Sequence, residues 1–173
     1  MDALWLWLVL ALLVFWMVGA YNRLVRLRAQ VRVAFHAVDQ CYGQYLRLVD
    51  THMPPSAHEA LSAEQAGMRG AVVQFDNSLR AARREVLDAA ALAALHAAHT
   101  TLHVWWARLL EAATPAAGDL SQAWKDGWAD TARQTADAVS RFNQAAERHN
   151  AAISQFPALL VARLFSLGAV GTL

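Results

Sequence analysis

The chain has 173 residues, so one domain is expected and two is the ceiling. Hydrophobic residues make up 57%, alanine alone fills 37 positions, and glycine (8) and proline (4) are scarce. That composition excludes collagen, disorder and turn-rich β folds, and it favours long helices. A net charge of +1 leaves no basic field to hold nucleic acid. The single thiol, Cys41, can form neither an internal disulfide nor a zinc knuckle.

Ala3 to Ala20 is an eighteen-residue run with no charged or strongly polar side chain. As a helix it covers about 27 Å, close to the roughly 30 Å of a bilayer's hydrocarbon core. Trp5, Trp7 and Trp16 lie toward its ends and Tyr21 follows it, as expected of amphipathic rings that prefer the headgroup interface. Arg23, Arg26, Arg28 and Arg32 come next. A cleaved signal peptide is the rival reading, since Val18-Gly19-Ala20 offers small residues for a peptidase. Two features favour an uncleaved anchor: the start has no Lys or Arg, and helical periodicity continues past residue 20. By the positive-inside rule the arginines place the bulk of the chain in the cytoplasm and the short N-terminus outside. The expected location is a bacterial-type cytoplasmic (inner) membrane, crossed once.

Leu24, Leu27, Val31, Phe35, Val38, Tyr42, Tyr45 and Val49 then step by three or four, which makes the seam of a packed helix continuous with the anchor. Pro54-Pro55 stops it. Ser56 and Glu59 form an S-x-x-E capping box, predicting the start of a second helix with the stripe Leu61, Gln65, Met68, Val72, Phe75, Leu79 and Ala82. Gly67 and Gly70 weaken that helix and leave room for a close helix contact. A third helix reads Leu92, Leu95, His99, Leu102, Trp106 and Leu109. Its boundary with the second is poorly marked, and Asp88 is the best N-cap. One long helix is the competing reading, but its apolar stripe would lack a partner.

Thr114 to Asp119 is a loop. The last helix runs Trp128, Ala132, Thr135, Val139, Phe142, Ala146, His149, Ile153, Phe156 and Leu160, with Pro157 kinking or ending it. Four amphipathic helices with short connections imply an antiparallel up-and-down bundle over 22–167, after an anchor over 1–21 and before a frayed tail over 168–173. In that topology the fourth helix returns to the membrane. Leu159, Leu160, Leu164 and Phe165 then finish near it, packed on the anchor, dipping into the interface, or only covering the bundle's end.

The run Arg141-Phe142-Asn143, then Arg148-His149-Asn150, Ile153 and Phe156-Pro157 resembles the LemA family. Phe142 and His149 stand where tyrosines are usual in it. Tyr21-Asn22-x-Leu24-Val25 and Val38-Asp39 resemble the family's passage from its span into its first cytosolic helix. The stretch Gly43 to Val49 departs from it, lacking an arginine pair and a proline, so the chain reads as a divergent member. The resemblance implies a single N-terminal span and an up-and-down four-helix domain, with no known catalytic activity. From spacing alone, Phe142, His149 and Phe156 recur every seven residues, on one face, with Asn143 and Asn150 as a ladder beside them. The aromatics read as core. The asparagines read as register-setting bonds to the first helix, an exposed recognition stripe being the alternative.

His96, His99 and His103 share one face of the third helix and are the weak candidates for a metal. Metal-binding bundles add carboxylates from facing helices, typically Glu-x-x-His, and none occurs here. Packed and boundary histidines are the simpler reading, with pH sensing as a further option. Cys41 has no base beside it, no G-x-S-x-G surrounds a serine, and no glycine-rich loop cradles a phosphate. No catalytic residue or cofactor is therefore expected. Periodicity puts Trp106, Trp124 and Trp128 on seams and leaves Trp105 exposed. The expected role is a non-enzymatic, membrane-anchored scaffold that binds a protein partner or itself, with the lipid bilayer as its other partner. A signalling or envelope-stress relay is the alternative.

Overall fold

A computed structural model describes residues 2–53, 62–113, 120–155, 159, 161–162, 165 and 168–173. The described residues form four helices and no strand: α1 Asp2–His52, α2 Ala63–Arg84, α3 Ala89–Ala112 and α4 Gln122–Ser154. The first is continuous from the apolar run into the bundle, because nothing between Asp2 and His52 interrupts the hydrogen-bond ladder. It ends one residue after Thr51, whose hydroxyl donates to the Arg47 carbonyl, while His52 bonds the Leu48 carbonyl at 2.9 Å. Pro54 follows closely, so the stop falls where the sequence places it.

The start of α2 differs from the expectation. The helix begins at Ala63, capped by Ser62, whose hydroxyl accepts from the Gln65 N–H while Gln65 accepts from the Ser62 N–H. This is the same reciprocal device as Ser56–Glu59, which lies outside the described residues, as do Leu61 and the loop 114–119. Between α2 and α3 the chain turns over Glu85–Asp88, with the Asp88 N–H donating to the Glu85 carbonyl at 3.0 Å. The Asp88 carboxylate then accepts from the N–H groups of Ala90 and Ala91, so α2 and α3 are separate helices with Asp88 as the expected N-cap, and the competing single long helix does not form. Ser121 caps α4 by accepting from the Trp124 N–H.

Packing is mainly α1 on α4 and α2 on α3, with a lesser contact between α1 and α2. Phe35 meets Phe142, Tyr45 meets Trp128 and His52 stacks on Trp124, so numbers rise along α1 as they fall along α4. Every seam residue expected on α1 from Leu24 to Val49 is buried except Leu27, which is half-buried. On α4 the buried face is Trp124, Trp128, Thr131, Thr135, Ala138, Phe142, Ala146, His149 and Ala152. Thr131, Ala138 and Ala152 take the places expected of Ala132, Val139 and Ile153. An α-helix advances 3.6 residues per turn, so either neighbour can lie on a seam, and the facing helix decides. On α2, Ala71 is likewise more deeply buried than Val72.

Two clusters make up the interior. The large one fills the bundle from Val31 to Trp128. The small one joins Leu24 to Ala152, Val161 and Ala162, with Met17 and Ala20 at its edge. Thus Val161 and Ala162 pack on α1 where the apolar run ends, and the ring of Phe165 lies 4.8 Å from that of Tyr21. Leu160 and Leu164 lie outside the described residues.

The last six residues are not frayed. Asn150 holds Val170 by donating to its carbonyl and accepting from its N–H, both at 2.8 Å. Asn143 does the same for Leu173 at 2.8 and 2.9 Å. Val170 enters the core, and Gly171 sits so close to α3 that a Cβ there would lie 3.0 Å from the Ala89 Cα.

Candidate functional site

The apolar run presents its side chains outward. Leu4 to Val14 are all exposed, Phe15 is 79% exposed, and Trp5, Trp7 and Trp16 are 70%, 67% and 45% exposed. No part of the most apolar eighteen-residue window is buried inside the protein, and this is the one helix among the described residues long and apolar enough to cross a membrane. A soluble core helix would hide such a face, because a contiguous apolar surface of this size is not left in water. Tyr21, Arg23 and Arg26 are exposed just beyond it, and the first fully buried side chain is Leu24.

The histidine stripe is split. His99 and His103 come together, their Nε2 atoms 3.1 Å apart, while His96 points to solvent. The pair is enclosed by rings from three other helices. Tyr42 and Phe75 face His99, Tyr45 touches both histidines, and Trp128 meets His103. Burial pushes the His99 imidazole down to about 4, with His103 and His96 adding to the shift, and burial also lowers His103. Both are therefore neutral at pH 7, and one ring donates to the other. Among the described residues no three His, Cys, Asp or Glu side chains are placed to hold a metal.

Burial also pushes up the Cys41 thiol, opposed by a contact with Thr135, and raises the Tyr45 hydroxyl to about 12. Neither ionises near neutral pH, so neither presents a nucleophilic anion. His36 bonds Gln40 instead of approaching Cys41. The tryptophans Trp106 and Trp128 stack at 4.3 Å with Trp124 at 5.1 Å from Trp106, all three buried on their seams. Trp105, expected to be exposed, is half-buried over Gly67, where a Cβ would lie 2.2 Å from its ring, and Arg108 covers it at 4.8 Å. Glycine opens that groove, which periodicity along α3 alone does not reveal.

Of the residues that carry the resemblance, Phe142 and His149 are buried, Arg141 is exposed, and Phe156 and Pro157 lie outside the described residues. The asparagines bond the C-terminal tail, not the first helix as expected. His149 Nε2 donates to the Gly168 carbonyl at 3.3 Å, and burial lowers its pKa against that bond. So Asn143, His149 and Asn150 form one clamp on residues 168–173. The signal missed in the sequence was the tail's exposed backbone, which two side-chain amides seven residues apart can bond as strand-like partners.

A cavity of about 580 Å³ also escaped the sequence reading. Arg28 and Arg32 of α1 line it together with Arg83, Arg84, Glu85 and Asp88 at the α2–α3 turn. These arginines are scattered over the sequence, and only the packing of α1 beside the turn gathers them. No protein-family model matches the chain, and no curated protein and no solved structure matches it either.

Proposed function

We propose that this chain is a single-pass, membrane-anchored helical bundle of LemA-like type, a non-enzymatic scaffold that presents its surface to protein partners or to other copies of itself. In this reading Ala3 to Ala20 lies in the bilayer, the bacterial-type inner membrane, and the antiparallel up-and-down bundle stands on its cytoplasmic side. The observation that carries it is the continuity of α1: one helix exposes apolar side chains on all sides from Leu4 to Trp16 and buries a seam from Leu24 onward. A tether without a flexible joint fixes the bundle's direction relative to the bilayer and raises the local concentration of copies in the membrane plane. The arginines after the span support the orientation. The pairing of Val161, Ala162 and Phe165 with the foot of α1 supports a fourth helix that returns to the membrane. The LemA-like assignment rests on the motif residues Arg141 to Asn150 and on the passage from Tyr21 to Val25.

Cysteine accessibility and cross-linking in intact cells test this reading. Engineered cysteines near Leu4 should react with an impermeant reagent from outside and those near Arg84 only after lysis, with the chain resisting alkaline extraction from membranes. A mature chain that begins at Tyr21 in the soluble fraction overturns it. Cross-links to further copies support the scaffold, whereas a kinase or protease as the sole cross-linked partner replaces it with a relay.

A further inference from the structure

A second groove, of about 590 Å³, adjoins the basic cavity and shares Arg28 and Arg32 with it. Its remaining lining is apolar and continues from the end of the exposed run: Tyr21, Val25 and Phe165, with Ala29 and Val33. At 100° per residue, Tyr21, Val25, Arg28 and Arg32 fall within about 60° of one another on α1, whereas Arg23 and Arg26 point about 140–200° away from Tyr21. Helical side chains tilt toward the N-terminus, which here carries the guanidinium groups of Arg28 and Arg32 back toward Val25 and the apolar run.

The charges around these arginines are unbalanced. Four guanidinium groups line the cavity against two carboxylates. Asp88 spends its oxygens on the N–H groups that open α3, and Arg83 is paired with Asp39 at 2.7 Å. Among the described residues Arg28, Arg32 and Arg84 have no ion-pair partner, and Arg28 Nε is buried with no hydrogen bond. Arginine's planar fork suits phosphoryl oxygens.

We propose that Arg28 and Arg32 bind the phosphoryl group of an anionic phospholipid, whose apolar portion lies against Tyr21, Val25 and Phe165. Arg84 supplies the outer positive field. The site rests on the reading of α1 as a membrane anchor, since the groove is continuous with the exposed apolar helix and takes its lipid from the surrounding leaflet.

Native mass spectrometry of the full chain in detergent, equilibrated with equal amounts of phosphatidylglycerol and phosphatidylcholine, tests it. The wild type should retain phosphatidylglycerol about ten-fold over phosphatidylcholine. Arg28→Gln with Arg32→Gln should abolish that preference, while Arg23→Gln with Arg26→Gln, on another face, should keep it. The single change Arg32→Gln, at an exposed position, carries the test if the double variant loses its helical circular dichroism. Equal retention of both lipids, or equal losses in the two double variants, overturns the site. Displacement of the lipid by millimolar glycerol 3-phosphate assigns the arginines to a soluble phosphate and overturns the lipid as occupant. Flotation with neutral phosphatidylcholine vesicles separates the two readings: a chain that floats but shows no lipid preference loses only this site, and one that does not float loses the anchor as well.

Discussion

The two ends of the bundle are held in different ways. At the end near Trp128 the interior is a cluster of rings, with Trp128 against Tyr45, His103 and Trp106, and Trp106 against Trp124. At the end near Leu24 the buried side chains are small or aliphatic, and the defining contacts are the polar ones from Asn143, His149 and Asn150 to the tail. Ring packing yields a large free energy from area and dispersion. Side-chain amides bonded to backbone yield less energy and fix one register, because a shift by one residue breaks both bonds of each pair. The two ends thus draw on different interactions, area at one and directed hydrogen bonds at the other.

Trp128→Ala should show the largest effect. The side chain is 4% exposed and touches Tyr45, His103 and Trp106, so its loss leaves a cavity and should cost about 3–5 kcal/mol in chemical denaturation. A cost below about 1 kcal/mol would mean that the aromatic end does not dominate stability. The double change Asn143→Ala with Asn150→Ala comes next. It removes four hydrogen bonds to Val170 and Leu173, at about 2–3 kcal/mol in all. Its sharper signature is local: amide exchange at Val170 and Leu173 should approach the unprotected rate while α3 stays protected. Uniform loss of protection would show that the tail is integral to the whole core and not a clamp on one end.

Which of these features the sequence discloses follows from how local each signal is. The α1 seam is legible because its residues recur along one helix, and the cap Asp88 because its side chain bonds N–H groups two and three residues away. The start of α2 is not, since Ser56–Glu59 and Ser62–Gln65 carry the same local pattern six residues apart. The tail looks free because its glycines and its position suggest fraying, yet its partners lie 20 and 30 residues back in the chain. Trp105 looks exposed because its own helix contains no sign of Gly67. The basic cavity requires α1 and the α2–α3 turn together. For the tail, Trp105 and the cavity, the deciding group sits on another element; for the start of α2 it is local but duplicated.

The smallest effect, and the one that links the two ends, is the response to acid. His99 titrates near 6.5 in the unfolded chain and at about 4 in the folded one, since burial among Tyr42, Tyr45 and Phe75 disfavours its charged form. The unfolded chain therefore binds more protons between those values. The stability that neutral His99 confers is complete above pH 6.5 and is lost as the pH falls toward 4. His103 and His149, both lowered by burial, act in the same direction, one at each end of the bundle. Stability should fall by about 1–2 kcal/mol between pH 7.5 and 5 for His99 alone. His99→Phe should flatten that slope, since a ring of similar shape keeps the contacts with Tyr42 and Phe75 and removes the proton site. A melting temperature that stays flat from pH 5 to 8 in the wild type removes the histidines as acid sensors. A slope that His99→Phe leaves intact moves the sensor to His103 or to His149 in the tail clamp, and His149→Phe, which also frees the Gly168 carbonyl, then tells which end of the bundle yields first.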